Sequence, residues 1–138
     1  MGSGPSCHLA EKHKLGGLIL QSAFLSIFRV FVHFRFNLPY DSFINQDLIG
    51  NIKCPVFIIH GTNDEIVPFE NSEYLYKYSN QLFPPLYVKG AGHNDIQTYD
   101  IVYEKILEFI EFIGNKHQSK SSKFELNFKN DEDFKKEF

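Results

Sequence analysis

Two short segments, His60-Gly61-Thr62-Asn63-Asp64-Glu65-Ile66-Val67-Pro68 and Gly90-Ala91-Gly92-His93-Asn94-Asp95, combine acids and histidines with turn-forming residues. Each follows an apolar run of strand length, so both would be loops at the same end of a sheet. An acid that orients an imidazole, with the imidazole carrying a proton, makes two thirds of a Ser-His-Asp triad. Asp64 follows the run Val56 to His60, and its part would be to accept the imidazole Nδ1 proton and stabilise the imidazolium. His93 would be the general base that takes a serine proton and later returns it to the leaving group.

Each residue also has a plainer reading. Thr62-Asn63-Asp64 is rich in side chains that bond their own backbone, as a simple turn would be. A lone loop histidine is often just a solvated surface residue. The interval favours pairing: the 29 residues from Asp64 to His93 leave room for one helix and one strand. Glu65 is a substitute acid by position. His60 reads as a strand-ending residue held by packing and hydrogen bonding rather than as a substrate contact. His8 and His13 are five apart, so they do not share a helix face as an i, i+4 metal pair would. Cys7 and Cys54 belong to no CxxC or Cys/His cluster, which suggests neither zinc nor a disulfide framework and leaves reduced, inert thiols. No cofactor is expected.

The elements that must position these residues alternate. Ser6 to His13 forms a short helix, with Pro5 at its tolerated first turn and Gly16-Gly17 as its break. Leu18-Ile19-Leu20 and Pro55-Val56-Phe57-Ile58-Ile59 read as buried parallel strands, apolar on both faces. A long aromatic connection from Phe24 to Gly50 lies between them. A helix from about Glu70 to Tyr78 leads to strand Leu86-Tyr87-Val88. The last helix carries Val102, Ile106, Phe109, Ile110 and Ile113 on one face. This order implies an α/β fold built from βαβ units on a parallel sheet. The composition turns polar after Gly114, which divides the chain into residues 1–114 and a flexible tail at 115–138.

The 138 residues are 43% hydrophobic and 22% charged, ordinary globular values, and the net charge of -3 offers no footprint for nucleic acid. No segment reaches the roughly 18 apolar residues of a membrane span, and residues 1–14 lack the apolar region of a signal peptide. These features point to a cytoplasmic or peripheral protein.

From Met1 to Ile113 the sequence resembles the C-terminal half of the alpha/beta hydrolases, and within them the alpha/beta-hydrolase domain-containing protein 17 group of protein depalmitoylases. The resemblance rests on Met1-Gly2-Ser3-Gly4-Pro5, Tyr40-Asp41-Ser42-Phe43-Ile44-Asn45, Cys54-Pro55-Val56-Phe57-Ile58-Ile59-His60-Gly61-Thr62 and Gly90-Ala91-Gly92-His93-Asn94-Asp95. It implies parallel strands flanked by helices in an incomplete alpha/beta hydrolase fold, whose whole needs roughly 200–250 residues. It also implies serine hydrolysis of an acyl ester or thioester on an acylated protein or small substrate, with palmitoyl-protein hydrolysis as the parent activity. The family pattern H-G-x-x-D places the acid at Asp64. The nucleophile elbow, G-x-S-x-G, aligns with the start of the chain so that its serine would stand one residue before Met1. Met1 would then supply an oxyanion-hole N–H. On this reading the chain alone is inactive. A peptidase or generic esterase of the same fold, and a non-catalytic binding module or truncated gene product, are the alternatives.

Phe24, Phe28, Phe31, Phe34, Phe36, Tyr40 and Phe43 lie where such hydrolases place a lid or acyl pocket, though Phe24, Phe28 and Phe31 also recur at helical core spacing. Arg29, His33 and Arg35 among them would suit an interfacial surface or an acidic membrane lipid. Apolar strands without their neighbours imply self-association or a missing N-terminal half as partner.

Overall fold

The continuous run Val56-Phe57-Ile58-Ile59 presents apolar side chains to both faces of a sheet, and it forms the middle strand of the fold. The structure is a computed structural model and describes residues 2–26, 45–79 and 83–116. In chain order the elements are α1 (Ser3–Lys12), β1 (Leu18–Gln21), α2 (Asn45–Leu48) with a 3-10 turn (Ile49–Asn51), β2 (Val56–Gly61), α3 (Glu70–Tyr78) and β3 (Leu86–Val88). A second 3-10 turn (Ile96–Thr98) leads into α4, over residues 100–116. The strands pair in parallel in the order β1-β2-β3. The register sets Leu18 beside Val56 and Gln21 beside Ile59, then Ile59 beside Leu86 and Gly61 beside Val88.

Because side chains alternate along a strand, β2 feeds two cores. Val56 and Ile58 pack on one face with Cys7 and Ala10 of α1, Leu18 and Leu20 of β1, and Leu75 of α3. Phe57 and Ile59 pack on the other with Phe83, Val88, Ile96, Val102 and Phe109. The Phe57, Phe83 and Phe109 rings form a triangle with centroids 4.9 to 5.4 Å apart. Helices therefore cover both faces of a parallel sheet, as the alternation of elements requires.

Several boundaries differ from the sequence reading. Helix α1 begins at Ser3, three residues early, because Pro5 fits anywhere in a first turn whose N–H groups have no intrahelical acceptor. Strand β2 runs on through His60 and Gly61. Strand β1 is buried on one face only: Leu18 and Leu20 are covered while Ile19 and Gln21 are exposed, on the face that lines a cleft. On α4, Val102 and Phe109 are buried and Ile106 and Ile113 half-buried, but Ile110 points away from the core and is exposed with Tyr103 and Leu107. Met1, the aromatic residues from Phe28 to Phe43 with Arg29, His33 and Arg35, and the tail beyond residue 116 lie outside the described residues. No described helix is long and apolar enough to cross a membrane.

Candidate active site

Parallel strands deliver their C-terminal ends, and the loops that follow them, to one edge of the sheet. The loop after β2 holds Asp64 and the loop after β3 holds His93. The two loops are laced together by Asn63 N–H donating to Ala91 O (2.9 Å), Thr62 N–H to Val88 O (3.0 Å) and Gly90 N–H to Thr62 Oγ1 (2.9 Å). Gly90 takes a φ of 82°, a left-handed conformation that glycine enters without a Cβ penalty, and so turns the chain back toward β2. Gly61 allows the closest approach, since a Cβ there would meet Ala91 O at 2.3 Å and Gly92 O at 2.7 Å.

This lacing brings Asp64 and His93 into contact. His93 Nδ1 lies 2.8 Å from Asp64 Oδ2. The carboxylate only accepts, so Nδ1 carries the proton and donates it. The Asp64 side chain is completely buried, whereas that of His93 is 29% exposed, so the acid is dry and the imidazole reaches the surface. The other carboxylate oxygen, Oδ1, accepts the backbone N–H groups of Ile66 (2.9 Å) and Val67 (2.8 Å). Burial by itself would raise the Asp64 pKa. The Val67 N–H, the His93 imidazole and the Ile66 N–H outweigh it and hold the carboxyl below its ordinary value. Ser22 lowers it a little further, close to the carboxylate but without a hydrogen bond of ordinary geometry. Asp64 is therefore an ionised, fixed acceptor.

His93 opens onto a cleft of about 530 Å³ lined by Gly2, Ser3 and Ser6 of the α1 start, by Ile19 and Ser22 at the end of β1, and by Ile66 and Asn94. Glu65 is exposed, and the carboxylate that contacts His93 is that of Asp64. His60 is wholly buried, as a strand-ending histidine should be. His8 and His13 are exposed on the surface near α1. Cys7 and Cys54 are free and buried. Burial, with the Cys54 thiol nearby, pushes the Cys7 pKa up to about 12, and burial likewise raises that of Cys54. Among the described residues no group of three His, Cys, Asp or Glu could hold a metal ion.

Two residues absent from the sequence reading belong to this site. Ser72, on α3, is fully buried and contacts His60 Nδ1. Ser22 holds a φ of 45° at the end of β1, beside Asp64. Neither has a local signal: Ser72 sits twelve residues from its partner, and Ser22 is one of many serines.

Comparison with known proteins agrees with the fold. The chain is 37% identical to alpha/beta hydrolase domain-containing protein 17C of Xenopus tropicalis over 111 residues, 80% of this chain and 36% of that protein. Against protein 17B of Homo sapiens it is again 37% identical, over 80% of this chain and 38% of that one. The chain belongs to the alpha/beta hydrolases. Its fold matches the esterase domain of a Rhodothermus marinus protein with a TM-score of 0.52 at 18% identity, covering 67% of this chain and 47% of that one. It matches Pyrococcus horikoshii acylaminoacyl peptidase with a TM-score of 0.58 at 15% identity, covering 80% of this chain and 22% of that one. No family model matches. The chain spans about a third of the length of the curated alpha/beta hydrolase relatives it matches.

Proposed function

We propose that Asp64 and His93 are the acid and base of a serine hydrolase triad that cleaves an acyl ester or thioester, with palmitoyl-protein hydrolysis as the activity of the whole enzyme. The observation that carries this reading is the 2.8 Å contact between a buried, ionised Asp64 and the Nδ1 of a partly exposed His93 on a cleft edge. Asp64 fixes the tautomer, which leaves His93 Nε2 as the atom that takes the proton of the attacking serine and hands it to the leaving thiolate or alkoxide. Water then enters, and the same imidazole takes its proton to hydrolyse the acyl-enzyme. The start of α1 borders the cleft, which supports a nucleophile elbow at the N-terminal end of that helix. The substrate class rests on the protein 17 relatives.

The test is hydrolysis by a protein joining this chain to an upstream segment ending in G-x-S. A palmitoylated cysteine peptide should be cleaved faster than an acetylated one and faster than an acylated amino-acid amide. Preference for the amide would move the activity to the peptidases of this fold.

A further inference from the structure

Behind Asp64, away from the cleft, the buried polar groups form a second contact chain that the triad does not use. His60 is fully buried at the end of β2, and Ser72, also fully buried, faces it from α3. His60 Nδ1 contacts Ser72 Oγ. His60 Nε2 lies 3.0 Å from Val67 O and 3.3 Å from Asp64 Oδ2. The Phe69 ring closes the remaining side edge-on, with centroids 5.8 Å apart.

Hydrogen-bond chemistry assigns the protons. A carbonyl and a carboxylate can only accept, so Nε2 must carry a hydrogen and donate it toward Val67 O and Asp64 Oδ2. In a neutral ring Nδ1 is then bare and accepts from the Ser72 hydroxyl. Burial favours this neutral form and lowers the His60 pKa, and the His93 charge lowers it too, while Val67 O, Asp64 and Glu70 pull the other way.

We infer that Ser72 and His60 are positioning residues that aim the Asp64 carboxylate at His93. The inference rests on the assignment of Asp64 and His93 as acid and base. The Ile66 and Val67 N–H groups hold only Oδ1. Oδ2 faces two imidazoles, His93 on the cleft side and His60 on the buried side. His93 stands on a loop at the surface, so its orientation depends on where Oδ2 points. The His60 donor keeps the carboxylate from rotating away, and Ser72 holds the His60 ring in the plane that makes the donation possible.

The experiment is nitrogen-15 NMR of the histidine rings in this chain. In the parent chain His93 should be the Nδ1–H tautomer with a downfield Nδ1–H resonance, and His60 the Nε2–H tautomer at neutral pH. Ser72→Ala and His60→Leu should lose the His93 resonance while the amide spectrum stays folded. His60→Gln, which keeps a donor toward Asp64, should restore it. Retention of the resonance in folded Ser72→Ala and His60→Leu would overturn the inference. So would a parent His60 that is Nδ1–H or doubly protonated at neutral pH, a result that needs no variant to fold. A parent His93 that shows no Nδ1–H resonance, and does not respond to Asp64→Asn, would instead refute the acid–base pair itself.

Discussion

Gly61→Ala is the substitution that most sharply tests how the two site loops are held. The added Cβ would lie 2.3 Å from Ala91 O and 2.7 Å from both Ala91 C and Gly92 O, all backbone atoms that no rotamer change can move aside. To reach even 3.0 Å, the closest approach real Cβ atoms show, the Gly90–Gly92 loop must draw back from β2. That strains the Asn63 to Ala91 and Thr62 to Val88 hydrogen bonds, which lie beside the contact. Overpacking of this kind typically costs about 1–3 kcal/mol. For a domain of this size each kcal/mol lowers Tm by roughly 4 °C. The same retreat carries His93 away from Asp64 by up to about 1 Å, a misplacement that can cost on the order of 100-fold in rate. The expected result is a lower Tm by calorimetry together with a weakened His93 Nδ1–H resonance. A Tm and a resonance both equal to those of the parent chain would refute the reasoning, because the loops would then not be in backbone contact at Gly61.

Three further outcomes follow from burial and charge. Both Asp64 and His60 have lowered pKa values in the folded chain. The unfolded chain therefore binds more protons than the folded one below the ordinary histidine value of about 6.5, and stability should fall as the pH drops through that value toward the lower folded one. A second decline should begin below about 3.9 as the pH falls toward the folded pKa of Asp64, and His60→Gln should remove only the first; denaturant titrations across pH check both. With their pKa values raised, Cys7 and Cys54 should resist alkylation in the native chain and react after denaturation, as counted by mass spectrometry. Phe57→Ala should destabilise by about 3–5 kcal/mol, because it removes one ring of the Phe57–Phe83–Phe109 triangle and leaves a cavity beside the other two; a loss below 1 kcal/mol by chemical denaturation would contradict that packing.

The strands and the two chemical loops were legible because their signals are local. Four consecutive apolar residues from Val56 to Ile59 fit a strand covered on both faces, and Asp64 lies on the loop after it while His93 lies on the loop after the shorter, half-buried β3. Glu70 to Tyr78 and Leu86 to Val88 match their expected spans for the same reason. What was not legible depends on neighbours distant in sequence. Helical periodicity grouped Ile110 with Phe109, yet the apolar stripe of α4 is narrower than its apolar composition, and the residue that faces Phe57 was not decided by spacing alone. Ile19 looked buried because it lies in an apolar run, but burial of a strand's second face requires a covering element. The Ser72 to His60 contact joins two elements through a fold that only tertiary packing creates, and a serine within Glu70–Tyr78 carries no mark of that role.

The central claim, that Asp64 and His93 work as a catalytic pair on a serine, is tested most directly by fluorophosphonate labelling of a protein that joins this chain to an upstream G-x-S segment. His93→Ala should abolish labelling, since it removes the imidazole assigned to take the serine proton. Asp64→Asn should slow it by roughly 10⁴ if the acid behaves as in the protease triad, and Glu65→Gln should leave it unchanged. Undiminished labelling of His93→Ala would contradict the account.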